Sequence, residues 1–405
     1  MRNRGLTRLV VIPLVLVVGM VAAACSSSNN AAKTTTTTTS ASSGPKISAT
    51  SFTSDFSVMS QFKSITAAGK GKVAAILPDT VSSTRYVEFD APDITKAFTT
   101  AGLPASDLTV ENAMGSDATQ LTDAQTAITN GATVLMIDPL DSGVGAQIEK
   151  LAKSHGVDVI DYDRLTLGGS RDYYVSFNNV QVGKVMGQGL VSCIAAWHVS
   201  KPQVVVMHGA ATDNNATLFA QGYNAVMAPY FASKAWTDVV NTAGTWDPPT
   251  AETEFQEAYT AHKNINAALI PNDETGAPII TYLQTLHTPA KTFPTTGQDA
   301  TLTGLQNILS GYQCGTVYKP IYLEAQAAAS LALYLRAGKT PPAALINGAT
   351  QDTTANVSVP SILLTPEWVT TSNMNATIIK DNFVPASQLC TGTYKADCTA
   401  AGITP

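Results

Sequence analysis

An acidic and a basic side chain stand side by side at Asp163-Arg164, where the apolar run Val157-Asp158-Val159-Ile160 ends. The run reads as a β-strand, and ligands of α/β proteins bind at the carboxyl ends of such strands. A carboxylate accepts from hydroxyls and a guanidinium donates to them, so the pair suits a polyhydroxylated ligand. An ion pair that fixes a loop is an equally good reading of these two residues alone. Groups for catalysis are not assembled in the same way. The five histidines, His155, His198, His208, His262 and His287, are scattered without metal-ligand spacing. There is no nucleophile elbow and no P-loop, and Gly143-Val144-Gly145 lacks the third glycine of a dinucleotide fingerprint. Acidic pairs serve a sugar site as hydroxyl acceptors as readily as they serve a glycosidase. The residues therefore read as a binding site with no cofactor and no metal, and not as an enzyme.

Such a site needs strands to carry it. From Lys72 onward short β-type runs alternate with helical patterns. Strands are expected at 73–77, 108–110, 133–137 and 157–161, with helices near 86–101, 118–130 and 143–155 between them. Gly102, Gly131 and Gly156 fall where those helices should end. A glycine turn (Gly168, Gly169), the β-rich run 173–177 and a helix from about Val180 follow. The pattern then repeats, with strands at 204–207, 238–240, 267–270, near 292–296 and at 316–318. Helices near 214–229, 250–263, 275–286, 301–310 and 321–337 accompany them. Continuous apolar strands between helices imply parallel sheets covered on both faces. The fold class is α/β, in two Rossmann-like lobes. The last strand-like piece, 361–364, cannot form a lobe alone and must return to one already built.

The chain of 405 residues opens on a targeting pattern: Arg2, Arg4 and Arg8, an apolar stretch from Leu9 to Val21, then Ala22-Ala23-Ala24-Cys25. It resembles the lipobox of bacterial lipoproteins, with Ala22 where leucine is usual, which makes residues 1–24 a signal peptide and Cys25 the lipidated end. A transmembrane anchor is the rival reading, against which stand its shortness and Pro13. Residues 26–50 are rich in Ser, Thr, Asn and Ala, with threonine from Thr34 to Thr39. A flexible tether is expected there, assigned to 25–71 as a whole. Loss of the three arginines leaves 21 of the 24 basic residues against 30 acidic ones, a net charge of −9. That disfavours nucleic acid as a partner. In an exported chain the even set Cys193, Cys314, Cys390 and Cys398 is read as two disulfides, Cys390 with Cys398 and Cys193 with Cys314; buried free thiols are the alternative.

From Lys72 to about Leu389 the chain resembles the sugar-binding lipoproteins and periplasmic proteins of ABC importers, in the xylose-binding and multiple-sugar-binding branch. The resemblance is carried by Ser82-Ser83-Thr84-Arg85-Tyr86, Asp161-Tyr162-Asp163-Arg164, Val175-Ser176-Phe177-Asn178-Asn179 and Thr212-Asp213-Asn214-Asn215-Ala216. It continues through Asn272-Asp273, Gly297-Gln298-Asp299-Ala300, Val317-Tyr318-Lys319-Pro320 and Leu363-Leu364-Thr365-Pro366. Each is short, but all occur in family order at family-like spacing. The resemblance implies a type I periplasmic-binding fold, with lobe one at 72–174 plus 320–360 and lobe two at 178–316 plus 366–389. Residues 390–405 are left as a tail. Hinge crossings fall near 174–177, 316–319 and 363–366.

Carried over residue by residue, the ligand set is Arg85, Tyr86, Asp163, Arg164, Asn214, Asn215, Trp246, Asn272, Asp299 and Lys319. A sugar has apolar C–H faces and a rim of hydroxyls, which suits flat aromatics with many donors and acceptors. Tyr86 and Trp246 are the candidate walls, although core packing is the commoner fate of an aromatic. Lys319 has a solvated alternative, but Pro320 after it fits a strand-to-helix joint. Tyr86, with Glu88 two residues on, departs from the family, which usually has tryptophan there. The implied function is capture of a monosaccharide such as xylose or glucose by a monomer that docks on ABC permease subunits. A sugar sensor docking on a chemoreceptor or kinase is the alternative.

Overall fold

The computed structural model describes residues 45–404, so Cys25 and the signal pattern lie outside the described residues. The first half of the chain alternates β1 (Lys72–Leu77), α2 (Ala91–Thr100), β2 (Leu108–Asn112), α3 (Asp117–Thr129), β3 (Ala132–Ile137), α4 (Ser142–Ser154), β4 (Asp158–Tyr162) and β5 (Tyr173–Phe177), after a short α1 (Lys63–Ala68). The second half adds α5 (Asn179–Ala196), β6 (Gln203–Val206), α6 (Asn214–Ala232), β7 (Thr237–Asn241), α7 (Pro248–Ala261), β8 (Ala267–Leu269), α8 (Asp273–Thr285) and α9 (Leu302–Ser310). It closes with β9 (Thr316–Tyr318), α10 (Ile321–Arg336), β10 (Gly348–Asp352), β11 (Val357–Leu364), β12 (Glu367–Val369), α11 (Ala386–Leu389) and α12 (Tyr394–Ala400).

Seven strands form one sheet in the order β10-β11-β5-β4-β3-β1-β2, parallel except for the β10–β11 hairpin. Successive residues of β1 face opposite layers. Val73, Ala75 and Leu77 join the large core, while Ala74 and Ile76 join a second one with Ala124 of α3 and Ile148 and Ala152 of α4. Burial on both faces is why this strand is apolar without alternation. A second sheet, β7-β6-β8, is also parallel. The strand expected near 292–296 is only a bridge from Thr295 to Ala268, because Pro294 has no N–H to extend the ladder. Gln298 bridges Val317 of β9, and β9 pairs antiparallel with β12.

The chain passes between the two layers after β5, after β9 and between β11 and β12. The first and third passages lie together: β11 pairs with β5 up to Leu364 and Phe177, and the Asn178 N–H donates to the Leu364 carbonyl at 2.8 Å. Helix α10 leaves β9 yet packs on α2 and on β1, β3, β4 and β5 of the seven-stranded sheet. Its run Ala325, Ala327, Ala328 and Ala329 is fully buried, and such small side chains let the helix sit close to the sheet.

The tether expected over 25–71 ends sooner than that. Phe56, Met59 and Phe62 are buried, and Phe62 meets the Tyr334 ring of α10 edge-on at 6.0 Å. Gln326 donates to the Thr53 carbonyl at 2.9 Å, and Arg336 donates to that of Thr66 at 2.9 Å. Ile47, Phe52 and Ile65 add apolar area, so this stretch has a core to join and does not behave like the threonine-rich composition before it. The tail at 390–405 is likewise built in, because Cys398 and Ile403 are buried and α12 packs on α9. Disulfides join Cys193 to Cys314 and Cys390 to Cys398.

Candidate functional site

The loops after the carboxyl ends of strands from both sheets meet around one small cavity. Ser82, Ser83, Arg85 and Tyr86 follow β1, and Asp163 and Arg164 follow β4. Across from them stand Asp213 and Phe219 beyond β6, Trp246 beyond β7, Asn272 beyond β8, then Gln298, Asp299 and Lys319. Asp163 (φ 57°) and Asp299 (φ 87°) both hold left-handed backbone, unfavourable for a residue with a Cβ. Their N–H groups are fixed on Val175 and Val317, each at 2.9 Å, so the strain is held by the strands that pass between the layers.

Arg85 is almost fully buried and spends its guanidinium on carboxylates. It donates to both oxygens of Asp90 at 2.8 and 2.7 Å, to Glu324 at 2.7 Å and to Asp163 at 3.1 Å. Tyr162 donates to Asp90 from behind. Burial pushes the Asp163 carboxyl up, but Arg85, Lys319 and Arg164 and the Tyr86 hydroxyl outweigh it and hold it below the ordinary range. Burial wins at Glu324, which shares Arg85 with two other carboxylates and is pushed up to about 8. Arg164 lies 3.6 Å from Asp138 and 3.5 Å from Asp213, and donates to the Tyr86 hydroxyl at 3.1 Å. That hydroxyl in turn donates to Asp163 at 3.2 Å. Tyr86 is thus a hydrogen-bonded wall, with both guanidiniums beside its ring at 5.4 and 5.7 Å.

On the opposite side, Asp213 caps α6 by accepting from the Asn215 N–H at 2.8 Å, and its other oxygen accepts from Trp246 Nε1 at 3.0 Å. The indole is pressed against Gly209, where any Cβ would collide with it. Asn272 caps α8, accepting from the Thr275 N–H at 3.0 Å, while its amide donates to the Ser82 carbonyl at 2.8 Å. Asp299 accepts from the Ser83 hydroxyl at 2.9 Å and pairs with Lys319 at 3.0 Å. Burial presses the Lys319 ammonium down, but Asp299 and Asp163 keep it above its usual value. These contacts join the two sides directly, so the lobes are closed on each other.

Eight of the ten candidate residues line the cavity. Asn214 and Asn215 do not. Helix α6 starts at Asn214 as expected, and its cap, Asp213, lines the cavity in place of the two asparagines. Asn215 sits behind, donating to the Asp163 carbonyl at 2.8 Å and accepting from Asn179 at 2.8 Å and Tyr174 at 3.1 Å. Ser82, Ser83, Asp213, Phe219 and Gln298 are further lining residues. The signal for Asp213 is an acid just before a helix, the commonest cap pattern. Phe219, five residues into an apolar helix, carries no such signal. Among the described residues no group of three or more His, Cys, Asp or Glu side chains could hold a metal ion.

Two α/β lobes closing on a polar cavity at their strand ends define a bilobal solute-binding protein. Residues 50–340 match the model of the periplasmic binding protein domain, and the chain belongs to that family. It is 36% identical to the D-xylose-binding periplasmic protein of Escherichia coli K12 over 291 residues, 69% of this chain and 82% of that one. It is 30% identical to the multiple sugar-binding periplasmic receptor ChvE of Rhizobium radiobacter over 342 residues, covering 80% and 93%. Among solved structures, a carbohydrate transporter solute-binding protein from Chloroflexus aurantiacus in complex with D-glucose superposes with a TM-score of 0.70 at 27% identity. It covers 78% of this chain and 97% of that one. The fold is the type I periplasmic-binding fold of these proteins, the relatives are sugar-binding proteins, and the family places the chain outside the cytoplasm.

Proposed function

We propose that the chain captures one neutral aldose in pyranose form between its lobes and delivers it unchanged to the permease of an ABC importer. The carrying observation is the pairing of charge in the cavity. Arg85 is bound by three carboxylates, Arg164 lies between Asp138 and Asp213, and Lys319 is on Asp299. An anionic ligand meets no unpaired cation there, whereas hydroxyls meet polarised donors and acceptors in every direction. Tyr86 and Trp246 supply flat walls for the C–H faces. The names of the relatives support the sugar class, with D-xylose and D-glucose first. The ligand favours the closed state because it touches residues of both lobes only there, and closure offers a permease one fixed surface. The chain works as a monomer, tied to the membrane by lipid on Cys25.

A thermal-shift series over D-xylose, D-glucose, other aldoses and the sugar acid gluconate tests the reading. A ligand at 100 times its Kd adds about 2.7 kcal/mol of stability, so one or more neutral aldoses should raise the melting temperature and gluconate should not. If no neutral aldose raises it, or if gluconate does so best, the reading falls.

A further inference from the structure

Beside the sugar cavity, but outside it, a second set of contacts spans the two lobes. Glu274 stands in the first turn of α8 and is absent from the cavity lining. Its Oε1 accepts from the backbone N–H of Thr84 at 2.7 Å and from the Ser83 hydroxyl at 3.4 Å, across 190 residues of sequence. Loop 82–84 belongs to the seven-stranded layer and α8 to the other, so these bonds form only when the lobes come together. Glu274 also lines an outer cleft with Thr84, Glu88, Pro248, Ala277 and Leu302. We propose that Glu274 is a closing latch, which sets how long a bound sugar is held and leaves the choice of sugar to the cavity. This deepens the sugar-capture reading and rests on it.

The chemistry makes the latch sensitive to acid. Glu274 as a residue is half-buried, yet its Oε2 is shut off from solvent and has no hydrogen-bond partner. The titratable groups that bear on it are Asp299 beyond β8, which is itself paired with Lys319, Asp273 beside it on α8, and Glu88 across the cleft. Burial, then Asp299, pushes the Glu274 carboxyl up to about 8 when the lobes are closed. With the lobes apart it returns toward its ordinary value of 4.5. The closed state therefore binds the proton more tightly. Its contribution to closure is complete below the ordinary value and fades as pH rises through about 8. A neutral carboxyl keeps the acceptor for Thr84 and adds a proton to its second oxygen.

Stopped-flow binding and release of D-glucose and D-xylose, measured on the whole protein from pH 5.5 to 8.5, tests this. Glu274→Ala loses one hydrogen bond to a carboxyl group, so the release rate should rise about tenfold while the association rate stays near wild type. Glu274→Gln keeps a neutral acceptor for Thr84. It should release sugar as slowly as wild type at pH 5.5, more slowly at pH 8.5, and with a flatter profile between them. Asp273, Glu324 and the other acids are the same in all three proteins, so the difference between profiles belongs to Glu274. Wild-type release from Glu274→Ala, or matching pH profiles for wild type and Glu274→Gln, overturns the latch. Failure of the wild type to bind either sugar overturns the sugar-capture reading instead.

Discussion

Around Asp163 three cations and a phenol converge on one carboxylate. Arg85 and Tyr86 hydrogen-bond it, Lys319 stands 4.0 Å away, and Arg164 is its chain neighbour. The group is buried in the cavity lining on left-handed backbone, and Arg85 and Tyr86 hold its two oxygens in place. Asp163→Ala should abolish the thermal shift given by a sugar, since the hydroxyls lose an acceptor and Lys319 loses a neighbouring charge. Removing one partner from a buried contact of this kind costs roughly 1–3 kcal/mol, and more where charges are involved. The fold should survive, because Arg85 keeps Asp90 and Glu324. The carboxyl is held below its ordinary value of 3.8. Its contribution is thus complete above that value and is lost only as pH falls through the lowered one, so this group adds no pH dependence near neutrality. Differential scanning fluorimetry of wild type and Asp163→Ala with and without sugar decides it, and an equal shift in both refutes the assignment.

At the scale of elements, the parts that could be read from the chain were those with a period. Strand β1, buried on both faces, and helices ended by Gly102, Gly131 and Gly156 announce themselves through apolar runs and breakers. Segment 45–68 has no such period: Ile47, Phe52, Phe56, Met59, Phe62 and Ile65 are spaced irregularly after a threonine-rich run, and it is tertiary packing, on α10 and α2 among others, that gives them a surface. The β10–β11 hairpin hides for a related reason, since β10 is polar and buries only Asp352, which is bonded to Arg171. In the site, the pair Asp163-Arg164 was legible because a strand visibly ends there. The exchange of Asn214 for Asp213 was not, because three adjacent polar residues stand at that helix start and the sequence does not show which of them meets the cavity. Phe62→Ala measures what the irregular segment contributes. Truncating a buried phenylalanine costs about 3–5 kcal/mol, so a clear drop in melting temperature is expected with sugar recognition retained. A melting temperature equal to wild type would return residues 45–68 to the status of a free tether.

For the whole molecule, we propose that capture and membrane attachment are separable, each carried by a different part of the chain. Every cavity residue lies between Ser82 and Lys319, and the covering elements run on to α12. Among the described residues no helix is long and apolar enough to cross a membrane. We propose that attachment to the membrane is through Cys25, which follows three alanines and an apolar stretch. A single acyl chain binds a membrane only marginally, whereas a diacylglycerol brings two chains and a stable anchor. Cys25→Ser should move the protein from the membrane fraction to the soluble fraction, and the released protein should bind sugar with the same thermal shift as wild type. Fractionation followed by fluorimetry on each fraction checks both halves of the expectation. A Cys25→Ser protein still in the membrane fraction would place the anchor in the apolar stretch Leu9–Val21 itself, retained uncleaved.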